Sequence, residues 1–127
     1  MKHLVFVYGT LKKGYHNHHL LDGADFVGVS EVMGYELWDL GPYPGIRPAA
    51  EAGSAVQVEI YAVDVLTLSL LDGLEGFIAA DNPDNYYDRV LTRDKQRRQG
   101  WIYVLRESVL HTFQLTKKAR KVQDGRY

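Results

Sequence analysis

Residues 4–7 (Leu, Val, Phe, Val) form a continuous apolar run, mostly β-branched or aromatic, which predicts a short strand buried on both faces. The run breaks at Tyr8-Gly9-Thr10-Leu11, where Gly9 lets the backbone leave the strand in a conformation that a side chain would forbid. Residues 15–23 show no clean period and predict a loop or a short helix ending near Gly23. From 24 to 39, Phe26, Val27, Val29, Val32, Tyr35, Leu37 and Trp38 alternate with polar residues around bends at Gly28 and Gly34. This pattern predicts two strands, or one long bent one. The next stretch, Gly41 to Pro48, holds three of the four prolines in the chain and predicts a stiff loop.

Periodicity is clearest in the middle of the chain. Val56, Val58, Ile60 and Ala62 alternate with Gln57, Glu59 and Tyr61, the period of two of a half-buried strand. Asp64 is placed to cap a helix whose apolar stripe is Leu66, Leu70, Leu71 and Leu74 and whose stop signal is Gly76. Residues 78–85 predict a surface loop. Tyr86–Arg93 and Trp101–Arg106 then flank the polar turn Asp94–Gly100, an antiparallel hairpin by the simplest reading. A last apolar run, Val109–Leu115, precedes a basic tail from 117 to 127, which either remains disordered or folds over the domain. The organisation expected is therefore a single domain over residues 1–116 followed by that tail.

Composition narrows the functional classes. At 127 residues, 46% hydrophobic and 24% charged, the chain has ordinary globular proportions. No apolar run approaches the roughly 20 residues needed to cross a bilayer, and the N-terminus lacks a signal-peptide pattern. Without cysteine there is no disulfide framework, thiol nucleophile or thiolate metal site. These features favour a cytoplasmic protein. Charge is unevenly spread: residues 1–88 carry four Lys and Arg against thirteen Asp and Glu, and residues 89–127 carry eleven against three. Such polarity would steer a charged partner, although a fold that brings the halves together disperses it over solvated faces.

Two places have chemical potential. After the first strand, the amides of Gly9, Thr10 and Leu11 are positioned to converge on an anion or a developing oxyanion; the plainer alternative is that Gly9 only turns the chain. Strand, Gly9, four residues and Gly14 nearly match a phosphate-binding loop, but Tyr15 and His16 follow where that loop needs Lys and Ser or Thr. The second place is Glu75, in Leu71-Asp72-Gly73-Leu74-Glu75-Gly76-Phe77. Apolar neighbours and the negative end of the helix dipole both disfavour its charged form. A carboxyl raised in this way can take and give a proton near neutrality; without further context it would be a solvent-facing residue.

Context comes from five segments in register: Tyr8-Gly9-Thr10-Leu11, His18-His19-Leu20-Leu21, Gly41-Pro42-Tyr43-Pro44-Gly45, Leu71-Asp72-Gly73-Leu74-Glu75-Gly76 and Tyr87-Asp88-Arg89. In this order and spacing the chain resembles the γ-glutamylcyclotransferase-like superfamily, and more narrowly its compact γ-glutamylamine cyclotransferase and AIG2-like branch, from the first strand to about Tyr103. The resemblance implies an α+β fold around a small mixed β-barrel flanked by short helices. It places the substrate-binding loop on Tyr8, Gly9, Thr10 and Leu11 and the catalytic acid/base on Glu75. Tyr43 and Tyr87 are implied as pocket residues, and Arg89 as half of a structural ion pair. The implied reaction closes a γ-glutamyl group to 5-oxoproline and releases an amine or amino acid, with no metal or organic cofactor.

Other readings compete with this one. His16, His18 and His19 suggest a metal site, but no cysteine or nearby His-Glu pattern completes it. Arg93, Lys95, Arg97 and Arg98 near Trp101 and Tyr103 suggest a nucleic-acid surface, yet both aromatics fall in an apolar strand. Ser30, Ser54, Ser69 and Ser108 lie in no nucleophile-elbow pattern. The alternative in a different class is a non-catalytic protein that binds a small ligand or partner on the same fold. The sequence leaves the oligomeric state and the released group open.

Overall fold

The computed structural model describes residues 2–127. Its centre is β1 (His3–Val7), which pairs antiparallel with β5 (Ala55–Val63) and parallel with β7 (Gln99–Leu105). With β2 (Asp25–Met33) and β6 (Tyr87–Arg93) outside them, the order is β2-β5-β1-β7-β6. A second sheet of three strands has the order β4-β3-β8, built from β4 (Pro44–Pro48), β3 (Tyr35–Asp39) and β8 (Arg120–Val122). Helix α1 (Val65–Glu75) follows β5 and helix α2 (Glu107–Leu115) follows β7. The fold is α+β with a mixed sheet, as expected. The barrel is open: among the described residues no backbone ladder joins the two sheets into a ring.

Alternation along the central strands builds two cores. Phe6, Val56, Val58, Ile60 and Ile102 face the second sheet and meet Leu37 and Ile46 there. Val5, Val7, Tyr61, Val63, Tyr103 and Leu105 face the helical side and meet Leu68, Leu71 and Leu110. Because β1 is covered on both sides, every residue from Val5 to Val7 is buried, which is why its sequence shows no polar alternation. In β5 the period of two holds for Val56, Val58 and Ile60, but Tyr61 is buried on the opposite face rather than open to water.

Two further expectations change, and one left open is decided. More than half of the predicted stiff loop is β4, whose two prolines sit opposite Asp39 and Tyr35 at the edge of the small sheet; an edge strand tolerates the missing amide that an interior strand does not. The final apolar run is helical, and the basic tail folds onto the domain as β8. There, Arg120 reaches Asp39 and the Gly125 carbonyl accepts from the Gln57 amide at 2.8 Å. On α1, the buried residues are Leu68 and Leu71, whereas Leu66 is 75% exposed and Leu70 60%. The helix is rotated from the predicted stripe, so its inward face reads Leu68, Leu71, Asp72, Glu75, at spacings of three, four and seven.

Both ends of α1 are defined as predicted. The Asp64 side chain accepts from the Thr67 amide at 2.8 Å. At the other end Gly76 is left-handed (φ 66°, ψ 34°), with its amide bonded to the Gly73 carbonyl and the Phe77 amide to the Asp72 carbonyl, a Schellman closure. A Cβ on Gly76 would also meet the Tyr86 Cβ at 2.9 Å. Gly76→Ala should therefore lower stability by about 1–2 kcal/mol, measurable as a drop in urea midpoint at unchanged slope.

Candidate active site

A cavity of about 400 Å³ opens where the loop after β1, the end of α1, the Tyr43-Pro44 step and the start of β6 meet. The sequence-predicted residues converge on it: Tyr8, Gly9, Thr10, Leu11, Tyr43, Glu75 and Tyr87 all line its wall. The rotation of α1 explains the position of Glu75. It shares the inward face with Leu68 and Leu71, one turn beyond Leu71, at the point where the apolar packing gives way to the cavity.

Glu75 keeps part of its surface on the cavity, but protein surrounds it on the other sides. Loss of water pushes its carboxyl up to about 7 from an ordinary 4.5, and neither a hydrogen bond nor a cation opposes that shift. The apolar and phenolic lining is consistent with this. Buried Tyr8 donates to the Tyr103 carbonyl at 2.7 Å, and buried Tyr87 donates to the Pro44 carbonyl at 2.6 Å. Both phenols are raised, chiefly by burial and further by nearby groups that include Glu75. They act as neutral donors. Tyr87→Phe would leave the Pro44 carbonyl without its donor, so a loss of about 1–3 kcal/mol is expected in a denaturant titration.

The loop after β1 is held by its carbonyls. The Gly9 carbonyl accepts from the Lys12 amide at 3.0 Å, the Thr10 carbonyl from the Asn17 amide at 3.1 Å, and the Leu11 carbonyl is 2.9 Å from His18 Nδ1. Asn17 Nδ2 also donates to Thr10 Oγ1 at 2.9 Å. Among the described residues, the amides of Gly9, Thr10 and Leu11 have no internal acceptor. Open donors in a loop that lines a cavity are available to an anionic group or a developing oxyanion. Gly9 has a different cause from the one predicted. Its φ is not positive; instead a Cβ would lie 2.6 Å from Pro44 Cγ and 2.9 Å from Pro44 Cδ. Only glycine lets the loop pass against the Tyr43-Pro44 step.

Behind Glu75 is a network that sequence reasoning only half anticipated. Asp72 accepts from Arg89 at 2.7 Å through Oδ2 and from the Tyr103 hydroxyl at 2.7 Å through Oδ1. The Arg89 guanidinium also packs over the rings of Trp101 (4.4 Å) and Phe77 (5.0 Å). The sequence suggested an ion pair for Arg89 without its partner. The available signal was the spacing of Asp72, four residues after Leu68 and three before Glu75.

The remaining candidates diverge. His16 lines the cavity, His18 packs against the Tyr61 ring, and exposed His19 turns back to the His16 carbonyl. Among the described residues no group of three His, Cys, Asp or Glu is placed to hold a metal ion. In the β6–β7 turn, Arg98 pairs with Asp94 and Lys95 with Glu31, so part of the basic cluster is neutralised internally. No helix among these residues is long and apolar enough to cross a membrane.

Comparison with known proteins agrees with this geometry. Residues 5–127 match the family described as gamma-glutamyl cyclotransferase, AIG2-like. A Vibrio cholerae protein provisionally named a gamma-glutamylcyclotransferase is 41% identical over 109 residues, 85% of this chain and 86% of that protein. Among solved structures, the solution structure of ytfP from Escherichia coli superposes with a TM-score of 0.67 at 28% identity, covering 98% of this chain and 95% of that one. The crystal structure of an AIG2-like protein from mouse gives 0.67 at 29% identity, over 86% of this chain and 82% of the other. With a family match over nearly the whole length, a shared fold and the candidate residues gathered in one cavity, the chain belongs to the gamma-glutamyl cyclotransferase, AIG2-like family and is a γ-glutamylcyclotransferase-like enzyme.

Proposed function

We propose that this enzyme cyclises the γ-glutamyl group of a γ-glutamyl amine or γ-glutamyl amino acid to 5-oxoproline, with Glu75 as the general acid/base. The observation that carries the proposal is the pairing, in one cavity, of a water-stripped carboxyl with a loop of unpaired amides. A binder would gain little from a carboxylate held in such surroundings.

The Gly9–Leu11 amides hold the substrate carboxylate or the developing oxyanion, and the tyrosine-lined wall holds the glutamyl chain folded. Ionised Glu75 takes a proton from the substrate α-ammonium. The freed amine attacks the γ-carbonyl carbon, a C–N bond forms, and negative charge moves onto the carbonyl oxygen. The C–N bond to the leaving group then breaks as protonated Glu75 gives its proton to the departing nitrogen. Glu75 carries one proton from the attacking to the departing nitrogen and solvent carries the second, so overall the attacking nitrogen loses two protons, the released nitrogen gains two and charge is conserved. Holding the two ends of the glutamyl chain together contributes on the order of 7–11 kcal/mol in a well-oriented intramolecular case.

Incubation with a panel of γ-glutamyl amines, γ-glutamyl amino acids and glutathione, followed by mass-spectrometric detection of 5-oxoproline, tests the reaction. Absence of 5-oxoproline from every member would count against it. Because the base form of Glu75 prevails only above its raised value, kcat/KM should climb about tenfold per pH unit on the acid side and level off above about 7. A profile already flat from pH 5 would remove Glu75 from the proton-transfer role.

A further inference from the structure

Building on the cyclisation reading only for what the loop grips, we propose that the segment Gly125-Arg126-Tyr127 is a positioning element for the loop after β1, clasping it through residues that do not line the cavity. Within residues 9–17 the wall is formed by Gly9, Thr10 and Leu11 and again by His16 and Asn17. Lys12 to Tyr15 lie between these two stretches and contribute nothing to the lining. They meet the tail instead. Lys12 Nζ donates to a main-chain oxygen of Tyr127 at 3.0 Å, and the Tyr15 hydroxyl donates to the same oxygen at 3.3 Å. The Tyr15 and Tyr127 rings pack with centroids 5.5 Å apart, and the Lys12 ammonium lies 5.5 Å from the Tyr15 centroid. One acceptor thus gathers two donors that are three residues apart in the loop.

The tail can hold the loop because it is itself fixed. Val122 pairs with Leu37 in the small sheet, and both Val122 and Tyr127 pack against the core to which Leu37 belongs. Between them the chain crosses the start of β5, where the Gly125 carbonyl accepts from the Gln57 amide. Gly125 has a φ of 66°, and a Cβ there would overlap the Ala55 carbonyl oxygen, so any other residue lifts the crossing away from β5. Elsewhere on the loop, the Lys13 amide donates to Glu59 of β5 at 2.9 Å. Losing the clasp therefore frees part of the loop and leaves the rest attached. The loop's own hydrogen bonds, from the amides of Lys12, Tyr15 and Asn17 to the carbonyls of Gly9, Lys12 and Thr10, register how often it opens.

Amide hydrogen exchange followed by NMR reads those three bonds one residue at a time. In Gly125→Ala the amides of Lys12, Tyr15 and Asn17 should exchange at least about 10-fold faster than in the wild type, with those of β1 and α1 unchanged. Equal acceleration everywhere, or none in the loop, would overturn the clasp. Lys12→Met leaves the tail sequence intact and decides the matter if Gly125→Ala does not fold. Its Tyr15 and Asn17 amides should accelerate about 2- to 10-fold, and Lys12→Arg should restore them; wild-type exchange in Lys12→Met would overturn the clasp equally. On a γ-glutamyl substrate both variants should raise KM by about 2- to 10-fold and leave kcat nearly unchanged, because a loosened loop holds substrate and transition state equally less well. Faster loop exchange at unchanged KM and kcat would make the tail a cover over the core and overturn the positioning role. If the wild type forms no 5-oxoproline, the cyclisation reading is what fails, and the exchange rates alone decide the clasp.

Discussion

Glu75→Gln should lose about 100- to 10,000-fold in turnover and at the same time become more stable above neutral pH. The two effects share one cause. Burial raises the Glu75 carboxyl from 4.5 to about 7, so between those values the folded protein keeps a proton that the unfolded chain releases. The stability associated with that proton is complete below the unfolded value and is lost as pH rises through about 7. Above that point the folded state must hold a charge stripped of water, at a cost of up to about 3.5 kcal/mol, since each tenfold change in proton affinity corresponds to roughly 1.4 kcal/mol. Part of the carboxyl still faces the cavity, which makes the real figure smaller. Glutamine has no charge to strip. Thermal unfolding of both proteins at pH 5 and pH 8 should therefore give curves that nearly coincide at the lower pH and separate at the higher, with the variant above. A variant that is inactive but destabilised at pH 8 would indicate that Glu75 is a packing residue, and its loss of activity would then have a structural cause.

The second large effect is expected at Asp72. Removing it as Asp72→Ala leaves Arg89 over Trp101 and Phe77 with its carboxylate partner gone and its Nε already without an acceptor. The Asp72 and Arg89 side chains are only about a fifth exposed (20% and 19%), and truncating one member of such a pair typically costs about 3–5 kcal/mol. The lower end fits this partly exposed pair. Arg89→Met, which fills the same slot without a charge, should cost less, and the double variant should be close to the single methionine change. Non-additivity of that kind in a urea-denaturation cycle identifies a direct pair. Asp72→Asn offers a gentler probe, because it can keep the Tyr103 hydrogen bond while removing the charge. With Asp72 neutral, the next carboxylate on the same helix face is Glu75. The acid limb of the pH–rate profile should then move to lower pH, as an unneutralised cation favours the charged form. No movement of that limb would confine Asp72 to a structural role.

Much of this arrangement was legible from local signals. The buried first strand, the Asp64 cap, the Gly76 stop and the hairpin of β6 and β7 each follow from interactions within a few residues, which a sequence displays directly. What was not legible depended on which surfaces meet. Leu66, Leu70, Leu71 and Leu74 form a better apolar stripe than Leu68 and Leu71, yet the latter face inward because Asp72 and Glu75, polar by type, are required inside by Arg89, Tyr103 and the cavity. Tertiary pairing overrides amphipathic pattern at such a place. Gly9 carried the right signal with the wrong cause, since a proline 35 positions away in the chain, Pro44, determines it. The strand at Pro44–Pro48 was hidden for a similar reason: a proline-rich segment is compatible with a sheet only at an edge, and edges are assigned by topology.

The position of β1 has a consequence for how the protein is made. This strand is synthesised before both of its sheet neighbours, β5 and β7, and the hydroxyl of Tyr8 is bonded to the carbonyl of a residue 95 positions later. Lys12 is held by a residue 115 positions on. Until those partners emerge, the most apolar strand of the chain has no sheet to join, and helix α1, with Glu75 at its end, has no floor to pack on. Such non-local pairing slows folding and leaves nascent hydrophobic strands open to association. The cavity is therefore assembled late in synthesis, when β7 closes against β1.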